Sequence, residues 1–244
     1  MPETHEIIRA DRIQNIVSAH DPIDRERIMW QDESQLMEVY KIPLRDLIFN
    51  KYNGRIGSRV KTFESGNHTI NPETEEGRTL IKSFLWKSAE GRNRKTEKDL
   101  RAKGQQRNAI VTLDGVIIDG NRRSMLLEKI DPNGYVNAAV LPVRNAEDPF
   151  EIQKLEATYQ MGVDAKVDYN PIEKYIKIDD LLQNTQFEET DVADLIGESP
   201  QKIALMRRAF REMEAYLDCH DYEGMYTALP EPSHVKHRSF TENK

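Results

Sequence analysis

Ala109-Ile110-Val111-Thr112-Leu113-Asp114-Gly115-Val116-Ile117-Ile118-Asp119-Gly120-Asn121-Arg122-Arg123 joins two apolar runs, a turn pair between them and two adjacent arginines. Two runs rich in β-branched residues flank Asp114-Gly115, a pair suited to the tight turns of hairpins, so both runs are expected to be paired strands. Gly120-Asn121 turns the chain again. From Arg122 to Ile130, Met125, Leu126 and Leu127 fall on the inward side of a helix, which Asp131-Pro132-Asn133-Gly134 stops. Val136 to Val143 reads as a further strand. Strands interleaved with a helix in this order predict an α+β domain with a mixed sheet.

Upstream, Tyr40, Ile42 and Leu44 alternate like a short strand and lead to Asn50-Lys51-Tyr52-Asn53-Gly54-Arg55. Asn-Gly marks a turn that can present backbone amides and a guanidinium together. Residues 64–76 are polar and read as loop, and Thr79 to Lys103 reads as one or two basic helices broken near Gly91. Residues 5–39 are expected to be helical: Ile7, Ile8, Ile13, Ile16 and Val17 recur at helical spacing. Asp21-Pro22 ends that segment, and a second helix is expected from Pro22 to about Met37. Downstream, Phe150–Tyr159, Pro171–Leu182, Thr190–Ile196 and Pro200–Asp218 read as helices.

Hydrophobic residues make up 38 % of the 244 and charged residues 32 %. With apolar residues recurring periodically in nearly every segment, that is a folded, charge-rich chain and not a disordered one. No apolar run reaches bilayer length, and the N-terminus lacks the pattern of a signal peptide, so no membrane association is expected. The single cysteine, Cys219, fits a reducing cytoplasm. The net charge of −7 is unevenly spread. Lys51 to Ile110 holds 14 Lys/Arg against 7 Asp/Glu, whereas Glu151 to Ser233 holds 8 against 18. A polyanion should prefer the first region.

The residues most suggestive of chemistry are Gly120-Asn121-Arg122-Arg123. Glycine allows close approach of a ligand, a helix N-terminus offers unpaired amides, and two guanidiniums follow at once, which together make a phosphate site. The same residues also fit a plain strand-to-helix turn with solvated arginines.

The order of motifs resembles the ParB/sulfiredoxin superfamily over roughly residues 40–217. Asn53-Gly54-Arg55 resembles its Asn-Pro-x-x-x-Arg box, and Gly104-Gln105-Gln106-Arg107 its Gly-x-x-Gln-Pro approach to a strand. Gly120 to Arg123 resembles its Gly-Glu-Arg-Arg box. Leu155-Glu156-Ala157-Thr158-Tyr159-Gln160 is similar to its Glu-Asn-x-Gln-Arg helix, and Asn170-Pro171-Ile172-Glu173 to its Asn-Pro-Ile-Glu helix start. The resemblance implies a nucleoside triphosphate (ATP or CTP) with magnesium as cofactors. Gly120, Asn121, Arg122 and Arg123 would hold phosphates, joined by Asn53, Arg55, Gln106 and Arg107. Glu156 would be the magnesium-side and catalytic carboxylate, with Gln160 beside it. Thr158 would stand in for the family asparagine, because Ala157 follows Glu156 here. Sulfiredoxin chemistry needs a cysteine in the arginine box, where this chain has Asn121. For phosphoryl transfer, Glu156 or Asp119 is the candidate base.

Asp191 to Ile203 fits a helix-turn-helix: Val192, Ala193 and Ile196 pack the first helix, Gly197 turns, Ser199 caps the second and Pro200 takes its first position. As a DNA reader this element would offer Gln201, Lys202, Arg207 and Arg208. Arg92, Arg94 and Lys95 in the basic stretch would add phosphate contacts. Packing or dimer contact is the alternative use of the hairpin.

The expected organisation is therefore an N-terminal helical arm (1–39), which can also serve a homodimer, and a ParB-like nucleotide-binding domain (40–148). A helical segment with the helix-turn-helix-like motif (149–228) and a linker or tail (229–244) follow. The expected function is that of a nucleotide-dependent, DNA-associated regulatory or defence protein related to phage or plasmid systems. The alternatives are a nuclease, NTPase or phosphoryl-transfer enzyme using the same pocket, and a non-catalytic interaction module.

Overall fold

The computed structural model describes residues 2–161, 170–183 and 186–229. Among them the chain forms a five-stranded mixed sheet and nine α-helices. Helix α1 (Pro2–Ala19) is followed by the strands β1 (Asp24–Trp30) and β2 (Glu33–Pro43), then α2 (Gly57–Glu64), α3 (Glu75–Lys87) and α4 (Glu90–Lys103). The unit β3 (Ala109–Val111), β4 (Ile117–Asp119), α5 (Asn121–Ile130) and β5 (Tyr135–Val140) comes next. Four helices follow: α6 (Pro149–Met161), α7 (Pro171–Gln183), α8 (Glu189–Ile196) and α9 (Pro200–Cys219).

The strand order is β1-β2-β5-β3-β4. Val39 of β2 pairs antiparallel with Ala139 of β5, and β5 in turn pairs parallel with β3. Antiparallel pairing of β3 with β4 is the hairpin expected around Asp114-Gly115. A parallel pair needs a crossover, and α5 supplies it.

The helix expected from Pro22 to Met37 is instead the hairpin β1–β2. Its apolar residues alternate with period two: Ile28 and Trp30 on one strand, Met37 and Val39 on the other, are all buried. A helix would scatter them around its circumference. The turn is Gln31-Asp32, both in the left-handed region with φ of 53° and 62°, the geometry usually given to Asn-Gly. The helical arm thus stops at Ala19, and β2 runs across residue 39 into the sheet. Helix α2 fills the residues between the Asn-Gly turn and the polar segment 64–76 expected to be loop, and α3 begins at Glu75 within that segment.

Both faces of the sheet are covered. On one, Ile13 of α1, Ile81 and Leu85 of α3 and Leu126 of α5 pack on Ile42, Val111 and Val136. On the other, Ile152 and Leu155 of α6 pack on Ile28, Trp30, Ile110 and Ile118. One turn further on, Ala157 and Met161 of the same helix join the core of the helical unit, with Ile178, Val192, Ile196 and Ile203. Helix α6 is therefore the element shared by sheet and helices. No helix among the described residues is long and apolar enough to cross a membrane. The tail expected from residue 229 lies, from residue 230 on, outside the described residues.

Candidate functional site

Strand β4 ends at Asp119, and the chain enters α5 through Gly120 at φ +104°. A Cβ here would sit 2.8 Å from the Ala109 Cβ on β3, so both the backbone angle and the packing demand glycine. No side chain caps α5, and its first turn has no acidic residue. It has Arg122 and Arg123 instead. The first amides of a helix lack intrahelical partners and carry its positive end, so two guanidiniums there are unfavourable until an anion arrives.

Arg122 is aimed by a neutral group: its Nε donates to Asn93 Oδ1 at 2.9 Å. Asn93 is fully buried and donates in turn to the carbonyls of Leu85 and Trp86 at the end of α3. Burial pulls the Arg122 pKa down to about 10, and the positive charges of Arg55, Arg92 and Arg123 pull in the same direction. Burial likewise lowers Arg123, opposed by Asp119 and Glu26. Arg123 Nη1 donates to the Asn108 carbonyl at 3.0 Å.

These residues face a cleft of about 1010 Å³. It brings together all of the residues expected to bind nucleotide: Asn53 and Arg55 from the turn, Gln106 and Arg107 from the approach to β3, the Gly120–Arg123 box, and Thr158 and Gln160 from α6. Several of their polar groups serve the fold. Asn121 is latched at both ends, Oδ1 accepting from the Asn50 amide at 2.9 Å and Nδ2 donating to Ile117 O at 3.0 Å. Gln160 Oε1 accepts from the Gly54 amide, Asn53 Oδ1 accepts from the Arg55 amide, and Thr158 Oγ1 donates to Lys154 O. Their work is to hold the loop 50–55, β4 and α6 in register. The positive charge lining the cleft comes from Arg55, Arg107, Arg122 and Arg123, and from Arg27 on β1.

Glu156 does not line the cleft. It is 2 % exposed and lies behind the wall. Its Oε1 accepts from Asn50 Nδ2 at 3.2 Å and Gln160 Nε2 at 2.9 Å, and its Oε2 from Lys177 Nζ at 3.0 Å. A carboxylate so occupied, already paired with an ammonium, does not fit a magnesium ligand. No group of three His, Cys, Asp or Glu among the described residues is arranged to hold a metal ion. Glu173, of the Asn-Pro-Ile-Glu sequence, reaches α2 and accepts from Ser58 N at 2.9 Å and Ser58 Oγ at 2.5 Å. Burial pushes its carboxyl pKa up.

Among the wall residues that escape a reading of the sequence are Asp24, Glu26 and Tyr159. The first two fall in the segment expected to be helical. The alternation of Asp24, Glu26, Ile28 and Trp30 with exposed residues is the signal that places them on one strand face.

The helix-turn-helix-like element has the expected local chemistry. Gly197 is left-handed at φ 68°, and Ser199 Oγ accepts from the Lys202 amide at 3.2 Å. Gln201 and Lys202 are exposed. Arg207 and Arg208 are ion-paired, with Glu189 at 3.0 Å and Glu212 at 2.9 Å. None of the four lines the cleft. On α4, Arg92, Arg94 and Lys95 are exposed, and Arg94 lies 3.6 Å from Glu90. No protein-family model matches the chain, and no curated protein matches it.

Proposed function

We propose that the cleft binds the phosphates of a nucleoside triphosphate and that the protein is a nucleotide-dependent, DNA-associated regulatory or defence protein of ParB-like fold. The observation that carries the reading is Arg122. It is held at the uncapped start of α5, hydrogen-bonded to a neutral amide, and repelled by three neighbouring guanidiniums. A polyphosphate on that wall relieves the repulsion, satisfies the first-turn amides and replaces lost hydration with charged hydrogen bonds. The cleft volume is at the upper end of what small-molecule sites offer, about 300–1,000 Å³. Support for the ParB-like fold is the order of the boxes and the presence of residues from four of the five on one cleft, the Asn-Pro-Ile-Glu box packing on α2 instead. Magnesium belongs to this reading as a companion of the phosphates, with Asp119, which precedes the arginine box in the chain, on the cleft wall. The same residue is the candidate base for the enzymatic alternative, NTPase, nuclease or phosphoryl transfer.

Calorimetric titration with ATP, CTP and inorganic tripolyphosphate, with and without magnesium, tests the reading against an Arg122→Ala/Arg123→Ala variant. Each charged hydrogen bond is worth about 1.5–3 kcal/mol, so the double variant should lose at least a hundredfold in affinity with its circular dichroism unchanged. Unchanged affinity would overturn the reading. Product analysis after incubation separates binding from turnover.

A further inference from the structure

The cleft has a second wall, on β1, that carries both signs of charge: Arg27 lies on one strand face and donates to Ser34 Oγ at 3.2 Å, and two carboxylates lie on the other. Asp24 and Glu26 share a face of β1 with Ile28 and Trp30, which pack under α6. The strand therefore starts in the cleft and ends in the core, and carboxylates stand where its apolar row meets open space. Asn108 holds both, its Nδ2 donating to Asp24 Oδ2 at 3.0 Å and Glu26 Oε2 at 2.9 Å. Tyr159 presents a half-buried ring, and Met29 an exposed thioether side chain, to the same cleft. An ionised carboxylate only accepts hydrogen bonds and repels phosphate.

We propose that Asp24 and Glu26 select the base of the bound nucleotide, taking bases that carry an exocyclic amine over those with a carbonyl at that place. The inference rests on the phosphate reading above, which puts the other end of the ligand on Arg122 and Arg123. With phosphates there, the end left for the β1 wall is flat and uncharged, and Tyr159 offers it apolar contact. An amine donates to a carboxylate, whereas a carbonyl sets a lone pair against it, so the charge discriminates in both directions. The Asn108 and Arg25 amides hold the Asp24 carboxyl below its ordinary range. Burial, Glu26 and Asp119 push the Tyr159 phenol up to about 12, leaving the ring a neutral platform.

The test is a binding series with CTP, UTP, 2′-deoxy-CTP and inorganic tripolyphosphate on the whole protein, its Asp24→Asn and Glu26→Gln variants, and the double variant. The parent should prefer CTP to UTP by on the order of tenfold, the range of one hydrogen bond to a charged group. The variants should bring that ratio close to one while tripolyphosphate binds as tightly as before or more so. Melting curves check that each variant is folded, and the isosteric changes keep the Asn108 contacts. A ratio that survives in the double variant overturns the proposal, as does loss of CTP and tripolyphosphate in equal measure. Equal binding of CTP and UTP with a large penalty for 2′-deoxy-CTP also overturns it, since the wall would then read the sugar. A parent that binds tripolyphosphate yet shows no base preference sinks this inference alone. A parent that binds none of the four sinks the phosphate reading with it.

Discussion

Glu156 on α6 and Lys177 on α7 hold their charges 3.0 Å apart, with side chains only 3 % and 6 % exposed. The pair lies directly behind the cleft, joined to it by Asn50 and Gln160. Removing one partner leaves the other buried and uncompensated, which costs about 3–5 kcal/mol, whereas removing both costs far less. Glu156→Gln and Lys177→Met should each show that loss in urea denaturation, and the double variant much less than the sum. Nucleotide affinity of Glu156→Gln should fall equally with and without magnesium. A loss confined to magnesium-containing samples would instead make Glu156 a metal-side residue.

Gly120→Ala should destabilise the protein by roughly 1–3 kcal/mol, the cost of a strained left-handed residue, with the added crowding against Ala109. Thermal melting against the parent checks it, and a melting temperature unchanged by Gly120→Ala would mean that β3 gives way at Ala109.

Burial raises the Glu173 pKa above its unfolded value. The folded state then binds the proton more readily than the unfolded chain, so this group's contribution is full below the unfolded pKa and is lost as pH rises through the folded one. The slope is at most about 1.4 kcal/mol per pH unit for one proton. Glu173→Gln abolishes it. The stability of the parent relative to Glu173→Gln should increase as pH is lowered from 7 to 5. A difference independent of pH would show that the Ser58 hydrogen bonds offset the burial fully.

DNA association, as proposed, draws on α4 more than on α9, because Arg207 and Arg208 already have carboxylate partners. Arg94→Glu/Lys95→Glu avoids Arg92, whose charge acts on Arg122. It should weaken binding to all sequences alike and flatten the plot of log affinity against log salt by about 0.9 for each phosphate that is no longer neutralised. Gln201→Ala/Lys202→Ala should alter sequence preference instead. Gel shifts at several salt concentrations decide it, and a double-charge-reversed α4 that binds like the parent would leave that helix a solvated face.

The parts of the fold legible in the sequence are those whose turns carry their own chemistry. Asp114-Gly115 announces β3–β4, Gly120 the start of α5, and Gly197, Ser199 and Pro200 the α8–α9 corner. The hairpin β1–β2 is illegible because Gln31-Asp32 adopts a glycine-like turn without glycine, and short apolar runs fit either period. The arginine half of the site is legible because its residues adjoin in sequence, and the carboxylate half is lost with the hairpin. Glu156 resembles a ligand in the sequence because its partner Lys177 lies 21 residues away on a separate helix. Only packing brings such a pair together.

The pairing of Val39 with Ala139 also sets a timetable. At roughly 5–20 residues per second, on the order of ten seconds of synthesis separates the two halves of that ladder. Until β5 emerges, the early hairpin shows the ribosome exit a bare edge bearing Val39, Tyr40 and Ile42, which recruits other strands as readily as its own. Nascent chains of this protein are accordingly most vulnerable to misassembly while residues 44–134 are being made. Slowing translation within that window should lower the soluble yield more than slowing it after Val140.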